Sequence, residues 1–134
     1  VKNLRNLLFP DPPRVFPHAR AWNIAARTAH IIVTGALFGG HVFNVDEQRL
    51  LIWLYLSIAT GICLIALEAY PTCRWCYQGR GIMVFAKLLL LCAIPWLWEY
   101  RVGILLAVIA IASVGSHMPA RFRYYSFVHR RVLN

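Results

Sequence analysis

Residues 50–67 read LLIWLYLSIATGICLIAL, eighteen positions without a charge. A helix rises about 1.5 Å per residue, so this run has the length needed to cross a hydrocarbon core ~30 Å thick. Three further apolar segments flank it. Residues 22–45 begin amphipathically and become apolar from Ile31, and residues 81–98 are interrupted by Lys87 and Pro95. Residues 102–116 extend to His117 before Met118-Pro119 ends them, because proline disfavours helix at the residue before it. None of these segments has the alternation of a barrel strand, and in hydrocarbon every backbone group must be satisfied within the span. Four transmembrane helices are predicted. The connections at 44–49, 68–80 and 99–101 are short, which implies antiparallel neighbours in an up-down bundle.

Composition agrees with this all-α membrane class. The 134 residues suit one domain, yet 60% are hydrophobic and 14% charged, with a mean hydropathy of +0.57. A soluble domain carries about 25% charge, and one this small has too little interior to hide so much apolar surface. A lipid bilayer is the expected partner. The net charge of +9 would otherwise suggest nucleic acid, but the basic residues flank the apolar runs instead of forming one face. No nucleic-acid partner is expected. Residues 1–14 hold three basic side chains and closely spaced prolines with no apolar stretch, so no signal peptide is expected there.

Orientation follows from the placement of Lys and Arg. Lys2, Arg5, Arg14, Arg20 and Arg27, then Arg74 and Arg80, then Arg121, Arg123, Arg130 and Arg131 fall on one side of the four crossings. Only Arg49 and Arg101, beside Asp46, Glu47 and Glu99, fall on the other. Eleven against two places both termini and the middle loop in the cytoplasm, with a bacterial inner membrane as the expected location. The organisation is then a basic cytoplasmic segment at 1–21, the bundle at 22–117 and a basic, aromatic cytoplasmic tail at 118–134. Trp53, Trp75, Trp96, Trp98 and Tyr100 stand near helix ends, where aromatic rings anchor depth.

Few residues in the spans can carry chemistry. His30 and His41 stand eleven residues apart on the first helix, nearly the same face and about 16 Å along the axis. Ionisable side chains in a membrane usually face the bundle interior, and imidazole is a common axial ligand of haem iron. His117 ends the fourth helix at the cytoplasmic level, the depth expected for His30, so these two could ligate a single haem b. His41 lies nearer the outer side, with no histidine on another helix to match it. The plainer alternative is that each histidine hydrogen-bonds a neighbouring helix or interfacial water. His18 and His129 sit among arginines and are expected to be solvated.

Lys87 is expected to snorkel toward the headgroups; turned inward, it or Arg80 would face a haem propionate. Glu68 is a possible ion-pair partner for Lys87. Cys73-Arg74-Trp75-Cys76 is a CxxC in a reducing compartment, which argues against a structural disulfide. It supplies two thiolates where a structural zinc needs four ligands, and His18 or His129 could add another. Tyr77 stands where a c-type haem site would need histidine. Cys63 and Cys92 read as packing residues. Gly35, Gly39, Gly40 and Gly61 allow close approach of a helix or a macrocycle.

The order His30, Gly39-Gly40, Thr60-Gly61, Lys87-Leu88-Leu89-Leu90 resembles a loose superfamily of small helical membrane proteins. That group includes the copper-resistance inner-membrane proteins and the haem-binding membrane protoporphyrinogen oxidases. The resemblance covers about residues 27–92 and implies a cytoplasmic-side haem with His30 as ligand and Lys87 nearby. The CxxC and the basic aromatic tail depart from the pattern.

The leading expectation is a small cytochrome-b-like membrane protein passing electrons between one haem and a quinone or partner protein. No acid–base group stands out beside the histidines, so electron transfer or an accessory role is expected over a stand-alone enzyme. The first alternative is a cofactor-free accessory or scaffold subunit of a larger membrane complex. The second is metal-ion handling, copper above all, through His30, His41, Cys73 and Cys76.

Overall fold

The computed structural model describes residues 2–132 and is mostly helical. Contacts divide the chain into two compact units, Val1–Cys73 and Arg74–Asn134.

The first unit holds α1 (Lys2–Leu8), α2 (Ala19–Val42) and α3 (Glu47–Ala69). Helices α2 and α3 are an antiparallel pair, and the sequence between them explains the reversal. Asn44 takes a left-handed φ of 50°, a conformation its short amide side chain tolerates well. Asp46 then caps α3 by accepting the Gln48 N–H at 2.8 Å. That cap starts the helix at Glu47, earlier than the charge-free run alone predicts. Gly40 lies against Leu50 so closely that a Cβ at Gly40 would collide with it. Helix α1 was not expected from the sequence. The chain after it folds onto the end of α3: Arg14 donates its backbone N–H to the Pro71 carbonyl at 3.0 Å, and Phe16 meets Tyr70 edge-on at 5.3 Å.

In the second unit, a 3-10 turn at Cys73–Tyr77 leads into α4 (Gly79–Ala93). A second 3-10 turn, Trp98–Tyr100, connects it to α5 (Arg101–His117), and Gly115 of α5 packs against Met83 of α4. Helix α4 is fifteen residues long and stops before the predicted end at 98. Pro95 has no N–H to continue the ladder, and Ile94 bonds instead to the Leu91 carbonyl at 3.2 Å, a tighter turn. At the other end of α5, Met118 is extended (ψ 131°) before Pro119, as the proline rule predicts.

The tail is where structure adds most. After the single turn α6 (Ala120–Arg123), β1 (Tyr125–Ser126) pairs antiparallel with β2 (Arg131–Val132). The ribbon returns to the start of α4 through a bridge between Gln78 and Ser126 and a Phe127 N–H donated to the Tyr77 carbonyl at 3.1 Å. A Cβ at Gly79 would strike the Phe122 carbonyl, and one at Gly81 would strike that of Trp75. Gly79 lets the tail backbone meet the start of α4, and Gly81 lets the turn at Cys73–Tyr77 fold against it. Reading residues 118–134 as a basic, aromatic tail does not anticipate this closure.

By length and composition, α3 and the stretch Trp98–His117 are long and apolar enough to cross a membrane. Among the described residues only Leu50 and Trp75 are buried large apolar side chains, while Ile31, Ile58, Ile62, Leu89, Ile109 and Val114 are exposed.

Candidate functional site

In the first unit the polar side chains of the long helices meet in a seam between α2 and α3. The imidazole Nδ1 of His30 lies 2.8 Å from the Thr60 hydroxyl oxygen. That hydroxyl is also 2.8 Å from the Leu56 carbonyl one turn back. A carbonyl can only accept, and two oxygens at that distance need a proton between them, so the single Thr60 proton points to Leu56. His30 therefore donates from Nδ1. In the neutral ring the proton is fixed there, and Nε2 carries the lone pair. Gly61 lies beside the ring: a Cβ there would be in ordinary contact, 3.4 Å from His30 Cε1.

One turn toward the N-terminus on the same face, Arg27 reaches Glu68 at 3.6 Å. This ion pair crosses the seam from α2 to α3. Both side chains are partly exposed, so the pair contributes at most about 1 kcal/mol. Ser57, buried one turn before Thr60, donates its hydroxyl to the Trp53 carbonyl at 2.7 Å.

A pattern in the sequence could have exposed this seam. Ser57, Thr60, Gly61 and Glu68 recur at helical spacing on one face of α3, which is otherwise apolar after Arg49, opposite Arg27, His30 and Thr34. Thr60, Gly61 and Glu68 are singled out in the sequence one by one, whereas Ser57 and Thr34 are not.

The remaining candidates are spread through the fold. His41 lies half-buried in the last turn of α2. His117 is the exposed final residue of α5, in the second unit. Lys87 is half-buried eight residues into α4, on the face that carries Arg80 seven residues earlier. The Arg80 guanidinium donates from Nε to Gln78 Oε1 at 2.9 Å and lies over the Tyr124 ring at 5.3 Å. Cys73 and Cys76 are half-buried thiols in the 3-10 turn. Among the described residues, no three His, Cys, Asp or Glu side chains converge to hold a metal ion. His129, expected to be solvated, is exposed, and it also shares a hydrogen bond of 3.0 Å with the fully buried Ser126 hydroxyl and stands 5.4 Å from the Tyr77 ring.

The seam thus offers one imidazole held in a single tautomer by a donor–acceptor chain of fixed sense. An imidazole fixed in this way is a competent ligand for a transition metal or a haem iron, since ligating histidines characteristically donate their other ring N–H to an oxygen acceptor. Compared with protein-family models, with curated proteins and with solved structures, the chain matches none of them.

Proposed function

We propose that the chain is an integral membrane protein of four membrane-crossing helices, with both termini and the middle loop cytoplasmic, that holds one b-type haem near the cytoplasmic face for electron transfer. The membrane part is supported by the sparse apolar burial and by the two stretches long enough to span. In water, so much exposed apolar surface would drive association. The alternation of basic residues supports the orientation.

The observation that carries the haem reading is the His30–Thr60 hydrogen bond, which fixes the Nδ1–H tautomer beside a glycine. His30 and His117 would hold the iron, with Lys87 or Arg80 serving the propionates. Bound haem supplies a one-electron iron couple. The protein's share is to hold the imidazole, raise its basicity through the Nδ1–H donation and exclude water. A quinone or a partner protein would exchange the electron.

The test is a dithionite-reduced minus oxidised spectrum of the protein in mild detergent. A sharp b-type α-band is expected, lost in His30→Ala and in His117→Ala. A flat spectrum from protein that keeps its helical circular dichroism and was prepared with haem supplied would overturn the reading.

An accessory subunit without a cofactor is the second reading. It draws on the same sparse burial, since helices that cover so little of each other have faces to offer neighbouring subunits. Co-purification of a stable set of membrane partners, with no chromophore, would favour it.

A further inference from the structure

The closure of the tail gathers charge that is scattered in the sequence. Arg74 and Arg80 come from the start of the second unit, Arg121 and Arg123 from α6, and Arg130 and Arg131 from the ribbon. The Gln78–Ser126 bridge and the Tyr77–Phe127 hydrogen bond bring these segments to one end of the α4–α5 pair. Glu99 is the only Asp or Glu after Glu68, and it lies in the turn at the opposite end of that pair. This end therefore carries six arginines and no carboxylate side chain.

The arginines are also positioned. Arg80 is held by Gln78 and lies over Tyr124, Arg121 lies over Phe122 at 4.7 Å, and Arg123 donates to the Ser116 carbonyl at 2.6 Å. Around them Phe122, Phe127 and Val128 are exposed. A face that alternates guanidinium groups with exposed apolar side chains, at the end of two apolar helices, matches the boundary between headgroups and acyl chains. Guanidinium binds phosphate with two parallel hydrogen bonds.

We propose that this end of the second unit is a binding face for anionic phospholipid headgroups, with the arginines on the phosphates and Phe122, Phe127 and Val128 at the acyl boundary. The proposal rests on the membrane reading above and adds the lipid class. Near a membrane surface each such arginine contributes about fivefold to affinity for anionic lipid, and added salt screens the attraction.

The experiment uses the full chain in a neutral detergent, incubated with phosphatidylglycerol or phosphatidylcholine of equal chain length, with bound lipid counted by native mass spectrometry. The wild-type protein should retain phosphatidylglycerol at least tenfold over phosphatidylcholine, and the preference should shrink with salt. A triple variant at exposed positions, Arg121→Gln with Arg130→Gln and Arg131→Gln, should bring the two lipids close to parity. The matching triple change to Lys should keep most of the preference, which separates charge from folding. Equal retention of both lipids by the wild-type protein, or an unchanged preference in the Gln variant, overturns the proposal. Displacement of phosphatidylglycerol by a short RNA would overturn it in favour of a nucleic-acid partner. If the protein stays monodisperse without detergent and retains neither lipid, the membrane reading itself fails, and this proposal with it.

Discussion

The two helix pairs place their polar groups in opposite ways. In α2–α3 they lie along the contact, where His30, Thr60, Arg27 and Glu68 bind one another. In α4–α5 the described contact is apolar, Gly115 on Met83, and polarity is displaced to the end where the tail closes on Gln78 and Tyr77. The first pair is thus specified by hydrogen bonds between side chains. The second is specified by close backbone approach and by a clasp. Side-chain hydrogen bonds can be removed one at a time at modest cost, whereas a backbone contact fails as a whole.

The largest expected effect comes from breaking that backbone contact. Gly79→Val places a branched side chain where a Cβ already meets the Phe122 carbonyl oxygen and lies 3.3 Å from its carbon. A loss of about 3 kcal/mol is expected from the forced shift, read as a lower thermal midpoint and faster protease cleavage at the tail. If Gly79→Val unfolds like the wild-type protein, the clasp does not specify the second unit.

An intermediate effect tests the first pair. Thr60→Val keeps the shape and removes the acceptor of the His30 N–H, leaving a part-buried donor unpaired at a cost of about 1–3 kcal/mol. Thr60→Ser should lose much less. Where haem is bound, Thr60→Val should also shift its midpoint potential while leaving the α-band in place. Equal stability of the Val and Ser variants would show that the hydroxyl does not orient the ring.

The smallest effect should come from Glu68→Gln, about 0.5 kcal/mol or less, since the Arg27 partner is half exposed. Chemical unfolding at low and high salt should show that difference vanish as salt rises. A loss several times larger would mean that the seam depends on this charge pair far more than its exposure suggests.

What could be read in advance follows the same division. Helices reveal themselves by period and by uncharged length, so α3 and α5 were legible nearly to their ends, and Pro119 marked a boundary. Pro95 was noticed as an interruption, but its full consequence, an early end to α4, depends on which carbonyl Ile94 finds next. His30 was legible as a candidate and Thr60-Gly61 as a motif, whereas the sense of the hydrogen bond between them needs the Leu56 carbonyl in view. The clasp was not legible. Two-residue strands have no period, and the full burial of Ser126 is a property of its surroundings, with nothing in a serine to announce it.

The clasp also imposes an order of events. Tyr77 and Phe127 stand fifty positions apart, and both α4 and α5 lie between them. Their hydrogen bond cannot form until α5 has been made and has turned back beside α4. During synthesis the start of α4 must wait, the backbone of Gln78 and Gly79 uncovered, while some forty residues follow it into place. The β1–β2 ribbon is therefore the latch that completes the second unit.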